Sequence, residues 1–269
     1  MLALLKRNFL LYARNRSGVF FSLLGALISF LLYIIFLQKN LTDAWSQLPD
    51  NTSLLNNWLM GGTLAVTGIT TSFAALTQMV QDRENQVDQD LFLTDLGRWG
   101  LDLSYLISSF VISFVMQVFM FIIMSLYFQE IPIMSHLLEI SLIMLLSSLL
   151  STLVNALLIY HFQSVDSLGK LATIVGTASG FLVGTYVPMG ILPNFAQVLM
   201  KCTPATYLAS LYRQVLMKEQ LETTFMGNSS LLEEFQEKLG IRLNWQNLLT
   251  KEETYLIVVS ICLLTFLLW

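Results

Sequence analysis

The sequence predicts an all-α membrane protein with six transmembrane helices, an N-terminal interfacial helix and a helical hairpin that re-enters the membrane between the fifth and sixth helices. Three observations predict it. The 269 residues are 55% hydrophobic and only 12% charged, with a mean hydropathy of +0.66, which is too apolar for a soluble domain of this length. The apolar residues gather into stretches at or near the roughly 20 residues that cross a bilayer, separated by short polar connections. Finally, Pro188, Gly190, Pro193 and Pro204 break the backbone at the depth where a spanning helix should be finishing, yet the residues around them stay apolar.

Residues 1–17 place Leu2, Leu5, Phe9 and Tyr12 on one helical face with Lys6, Arg7 and Arg14 off it, the pattern of an interfacial helix. These cations and Arg16 have no acid among them and precede the first span, so the N-terminus is expected in the cytoplasm. The first span, 18–37, continues from this basic stretch to full spanning length, so no cleavable leader is expected. A polar loop follows at 39–56, with Pro49, Asp50 and Asn51 as turn formers, then the second span at 57–80. Thr63, Thr67, Thr70, Thr71 and Thr77, with Ala74 and Gln78, share one side of that second helix. Such a stripe is either a helix contact cemented by hydroxyls or the wall of a polar pathway.

Residues 81–101 set Arg83 and Arg98 against Asp82, Glu84, Asp88, Asp90 and Asp95, with Val87, Leu91 and 93–96 as an apolar edge. This is expected to be a short amphipathic helix at the cytoplasmic surface, and its acidity points to a protein partner rather than anionic lipid. The third span is 102–127, the outer turn 129–136 and the fourth span 137–160, with Glu139 near its outer end and Asn155 near its inner end. A short cytoplasmic connection at 161–170 leads to the fifth span, 171–187, where Ala172, Gly176, Gly180 and Gly184 recur every fourth residue and predict a groove for close helix packing. Seventeen residues give about 25 Å at 1.5 Å per residue, so this helix nearly reaches the outer surface before it breaks. The re-entrant hairpin, 188–217, is read as an outer gate hinged on Pro188, Gly190, Pro193 and Pro204. It would lie over a cavity lined by Thr67, Thr70, Thr71, Phe73, Gly180 and Tyr186. A polar outer loop, 218–253, precedes the sixth span, 254–269, which ends abruptly without a basic tail and leaves room for further residues after Trp269. Lys and Arg divide evenly between the two sides, so the N-terminal cluster decides the orientation.

Other chemistries find little footing. Cys202 and Cys262 lie far apart in apolar surroundings and are read as packing residues. His136 and His161 sit at opposite ends of one predicted helix with no second ligand at metal spacing, so no metal is expected. A secondary transporter would carry ionisable residues deep in its spans and an internal repeat, and a membrane-embedded enzyme would need a nucleophile and base or a metal cluster. Gly169 and Lys170 lack the upstream glycine and following hydroxyl of a phosphate-binding loop. Energy for transport would come from a separate subunit.

The layout resembles the permease subunits of type-2 ATP-binding-cassette exporters over nearly the whole chain. The likeness rests on the N-terminal interfacial helix, the six spans, a charged first loop of the form RE…LF.T.L (Arg83, Glu84, Leu91, Phe92, Thr94, Leu96), and the P.G.LP…P..Y…R run of Pro188, Gly190, Leu192, Pro193, Pro204, Tyr207 and Arg213. One departure is Asp95, where the family often has Pro. The resemblance implies one permease domain over 1–269, with a coupling helix in 81–101 that seats in a cleft of the ATPase through Arg83, Glu84, Asp88, Leu91 and Phe92. It implies a partner ATPase holding ATP and Mg, a second permease copy or a homologous one packed across Gly176, Gly180 and Gly184, and no cofactor in this chain. The expected location is a plasma membrane, bacterial by the family's habit. The uncharged pathway favours a lipophilic or amphiphilic cargo such as a drug, antibiotic, toxin, peptide or lipid-like metabolite.

Overall fold

A computed structural model of the chain describes residues 1–48, 50–93, 97–130, 134–226 and 228–269. Within them the architecture is helical: α1 (Leu2–Arg14), α2 (Arg16–Leu32), a π-turn (Tyr33–Leu37), α3 (Gln38–Ala44), α4 (Asn51–Glu84), α5 (Val87–Phe92), α6 (Gly97–Phe128), α7 (Met134–Ile159), α8 (Val165–Leu182), a 3₁₀ turn (Met189–Ile191), α9 (Asn194–Lys201), α10 (Pro204–Leu216), α11 (Lys218–Thr224), α12 (Ser229–Lys238) and α13 (Lys251–Leu268). The predicted turn residue Pro49, the motif residues Thr94 and Leu96 with Asp95, and 131–133 of the outer turn lie outside the described residues.

Among the described residues, four helices are long and apolar enough to cross a membrane: Arg16–Ala44, Asn51–Glu84, Gly97–Phe128 and His136–Ile159. The predicted fifth and sixth spans correspond to α8 and α13, with 18 residues each. Asp166 and Lys170 in the first two turns of α8, and Lys251, Glu252 and Glu253 in the first turn of α13, leave each an apolar stretch shorter than the usual span. α4 is the axis of the bundle, with α2, α6, α7, α8 and α10 packed around it. In the apolar window of α4, 83% is buried, against 39% in the first and third spans, so those two present wide outer faces. On α6 that face is a stripe at helical spacing, in which Leu103, Ile107, Val111, Val115, Phe119 and Ile122 are exposed as a lipid-facing surface requires.

Polar glue joins the inner faces. Ser113 and Ser109 of α6 donate to the carbonyls of Gly68 and Ser72 on α4, at 3.1 and 3.0 Å. Gln117 reaches Ser148 of α7 at 2.7 Å and accepts from Tyr212 of α10 at 2.6 Å. Asn155 donates to the Ile69 carbonyl and to Ser72 Oγ, both at 2.8 Å. In a bilayer such bonds hold helices that have no hydrophobic reason to associate.

The structure corrects several boundaries. The first span does not end at 37: it runs through the π-turn into α3, where Asn40 and Thr42 turn their side chains back to the carbonyls of Phe36 and Gln38. The polar loop expected at 39–56 is therefore helical at both ends. The fifth span stops at Leu182 rather than 187. Gly184 adopts φ +69°, and its N–H and that of Thr185 return to the carbonyls of Phe181 and Gly180, a Schellman ending that only glycine enters without strain. The segment expected as a polar loop at 218–253 carries α11 and α12, and α12 ends in the same way at Gly240, φ +62°, with Gly240 N–H to Glu237 and Ile241 N–H to Gln236.

Candidate functional site

A cavity of about 660 Å³ lies between α2, α4 and α8 and follows α2 from Asn15 to Leu32. Among the described residues, no Asp, Glu, Lys or Arg lines it. Of the six residues expected on a pathway wall, Thr70, Phe73 and Tyr186 line it. Thr67, Thr71 and Gly180 do not. Thr67 and Thr71 are buried in helix packing, and their hydroxyls bond back to the carbonyls of Thr63 and Thr67 at 2.8 and 2.6 Å. The stripe on α4 is thus divided, with Thr70, Ala74 and Thr77 facing the cavity and the rest facing neighbours.

The small-residue groove on α8 is likewise divided. Gly184 is off the helix altogether. Gly180 is roofed by its own chain: a Cβ there would come within 2.1 Å of the Tyr186 ring. At Gly176 the approach is made by α2, since a Cβ on Gly25 would stand 3.2 Å from the Gly176 carbonyl. Gly180 and Gly184 therefore serve contacts within one chain, a Cβ on Gly184 falling 2.9 Å from Met200 Cε, whereas a Cβ on Gly176 would meet nothing within 4 Å and that position stays open on the cavity. Tyr186 stacks edge-on with Phe181 at 4.9 Å and closes the upper end of the cavity.

Above this lies the hairpin. Pro188 precedes the 3₁₀ turn, Pro193 precedes α9 and Pro204 opens α10 as its first residue, where a missing N–H costs nothing. Gly190 sits against α12 so closely that a Cβ would meet the Lys238 backbone at 2.6 Å. The chain returns through α10, whose Arg213 is 1% exposed. Its guanidinium donates to carbonyls alone: Nε to Trp58 at 3.2 Å, Nη2 to Gly184 at 3.1 Å, and Nη1 to Leu239 and Gly240 at 3.4 and 3.3 Å. Gly184 and Gly240 are the two Schellman residues, so one cation caps the C-termini of α8 and α12 together and meets the partial negative charge of both. The Trp58 ring lies beneath it at 4.7 Å. Room for this arrangement comes from Gly61 and Gly62 of α4, where a Cβ would fall 2.9 Å from Arg213 Cγ and 2.5 Å from Thr185 Oγ1.

The opposite pole gathers the charged loop. α5 carries Asp88 and Asp90 in its first turn, while Leu91 and Phe92 pack partly buried against the base of the bundle. Arg83 and Glu84 are engaged within the chain. Arg83 donates to the carbonyls of Tyr160 and Phe162 at 2.9 and 3.1 Å, and Glu84 accepts the Val165 N–H at the start of α8 at 3.0 Å. α1 is anchored here too. Arg7 makes a two-pronged pair with Asp82, at 2.7 and 2.8 Å, and Asp82 also accepts from Gln78 and Tyr105 at 2.7 and 2.5 Å. Hydrogen bonding to Asp82 raises the Arg7 guanidinium above its ordinary value.

Among the remaining sequence-selected residues, Glu139 pairs with Lys251 at 2.8 Å and so ties the start of α7 to the start of α13. His136 faces Glu219 at 3.5 Å and His161 stacks on Tyr160. Cys202 is exposed and Cys262 buried. The residues that sequence reasoning passed over are Gly61, Gly62 and Trp58, while Asp82 groups in the sequence with the loop acids rather than with α1. Their only signal is an adjacent glycine pair and an acid at the end of an apolar run, and neither names its distant partner.

Long apolar helices around a polar-bonded axis, with an uncharged cavity along them, define a multi-pass membrane protein of the transporting kind. The model of the family described as ABC-2 type transporter matches residues 1–217, and the chain belongs to that family as a permease component. Permeases of this family work with an ATP-binding-cassette ATPase. No curated protein matches the chain.

Proposed function

We propose that the chain is the membrane half of an ATP-driven exporter for neutral lipophilic or amphiphilic molecules, acting with a separate ATPase subunit and a second permease copy, identical or homologous. The observation that carries this is the wall of the cavity along α2. It offers Phe21, Phe73, Phe181 and Tyr186 as apolar faces and threonine hydroxyls as neutral partners, with no counter-charge for an ion. Its volume lies within the range of sites for drug-sized molecules. The rim residues Phe21 and Phe181 are exposed, so the cavity is open on one side, and a second copy placed there would close it.

The pole with α1 and α5 is then cytoplasmic, following the basic N-terminus. α5 is the coupling helix, with Asp90 and the following Leu93 exposed and Asp88 half-buried beside them to meet the ATPase, which would hold the ATP and Mg. The 188–217 hairpin is the outer gate. The test is export of a fluorescent neutral amphiphile from proteoliposomes holding the permease and its co-expressed ATPase. Thr77→Asp, which places a charge at a half-buried position of the cavity wall, should abolish ATP-dependent export while the complex still assembles. Export at the unmodified rate would rule the cavity out as the path.

A further inference from the structure

α8 has a second cavity on its other side. Between α4, α7, α8 and α10 lies a pocket of about 220 Å³, with Ile69, Leu150, Val154, Ala178, Ala205 and Leu208 in its wall. Ile174 and Leu158 stand at its rim, 62% and 46% exposed on the apolar flank of the bundle, so the mouth opens to the bilayer rather than to either pole. Ser151 lies eight residues before the end of α7 at Ile159, about 12 Å at 1.5 Å per residue, which is near the middle of a 30 Å hydrocarbon layer.

The polar groups on this wall are satisfied, with one exception. Asn155 is bonded to α4. Ser179 and Thr203 donate to the carbonyls of Gly176 and Leu199, both at 3.1 Å. Ser151 is 4% exposed, and among the described residues its Oγ has no partner. A buried hydroxyl left unpaired costs about 1–3 kcal/mol, and native structures seldom carry that without reason. At mid-bilayer there is no bulk water to supply the bond, and an acyl chain has no polar atom there.

We propose that this pocket binds a small neutral lipophile dissolved in the bilayer, with one hydrogen-bonding group that pairs with Ser151 once its hydroxyl, shielded from the pocket in this conformation, turns toward it about χ1. An engineered cavity of about 150 Å³ holds benzene, so this one suits a molecule somewhat larger. The site needs neither an ATPase nor transport, and its test stands or falls apart from the exporter reading. The full chain in lipid nanodiscs is photolabelled with a diazirine-bearing octanol and, in parallel, a diazirine-bearing octane, and the labelled peptides are identified by mass spectrometry. The alcohol should label the α7 and α8 segments around Ser151 and Ala178 more strongly than the alkane, and excess octanol should suppress it. Ser151→Ala should lower alcohol labelling about three- to tenfold, the worth of one hydrogen bond, and leave alkane labelling unchanged. Ala178→Leu, or Ala205→Ile should the former not insert, fills the pocket and should remove both signals. Equal labelling by the two probes in the unmodified chain, undiminished alcohol labelling in Ser151→Ala, or labelling confined to other surfaces would overturn the proposal.

Discussion

Arg213 shows how much one residue can decide. In the sequence it is a cation at the end of a proline-punctuated motif, counted with the outer charges; in the fold it is buried against four carbonyls and an indole. Its charge is balanced by helix ends, which no pattern along the chain spells out, because the partners lie 29 and 27 residues away at Gly184 and Gly240. Arg213→Ala should destabilise the protein by about 3–5 kcal/mol, since it uncaps two helices and leaves a cavity. Arg213→Lys should recover only part of this, because a point charge cannot span the fork. Thermal unfolding of the purified protein in detergent checks both, and a lysine variant as stable as the unmodified chain would show that the fork geometry is unimportant. Gly62→Ala should cost about 1–3 kcal/mol by pressing on Thr185 and the guanidinium. The same melting curve reads it.

At the scale of elements, α1 and α5 were both visible in the sequence as amphipathic segments, and both are present. What periodicity could not supply was their anchoring. Arg7 is one of several N-terminal cations, and only the fold selects it for Asp82. Because Asp82 is 3% exposed, Asp82→Ala should strand Arg7 and loosen α1 from α4 and α6. Tryptic cleavage after Arg7 and Arg14 should quicken markedly, and an unchanged cleavage rate would mean that lipid alone holds α1 in place. The charged loop separates into two functions. Asp88→Lys should weaken co-purification with the ATPase and leave the melting temperature alone, because its only described side-chain bond is to the neighbouring Gln89 N–H. Glu84→Lys should lower the melting temperature as well, since it removes the acceptor at the start of α8. Identical behaviour of the two variants would contradict this division.

For the whole molecule, four of the expected spans coincide with helices long and apolar enough to cross a membrane, and the helices break around Pro188, Pro193 and Pro204 as expected, because hydropathy and proline act locally. Helix ends were less legible. α8 stops at a glycine conformation rather than at Pro188, and α3 carries the first span on through polar residues that hydropathy reads as a loop. Half of the expected pathway residues reached the cavity, since spacing at 100° per residue gives a face but not the neighbour it meets. If the hairpin is the outer gate, a cysteine at Gln197, which lines a polar pocket with Lys201 and Glu237, should react with a membrane-impermeant thiol reagent from outside, and its rate should change when the ATPase is trapped with nucleotide. Labelling from the cytoplasmic side alone would invert the topology, and a rate indifferent to nucleotide would make the hairpin a fixed lid.

The double cap at Arg213 also has a consequence for how the protein is made. Ribosomal synthesis delivers α8 and Gly184 first, then α10 with its arginine, and the carbonyls of Leu239 and Gly240 only some two dozen residues later. Until those emerge, the guanidinium holds half its final bonds in an apolar setting, and α10 has every reason to stay near water. The hairpin therefore settles late, after the segment beyond residue 217 has been translated, and a nascent chain halted before Leu239 should remain open to proteases at α10 although its earlier helices are already in the membrane.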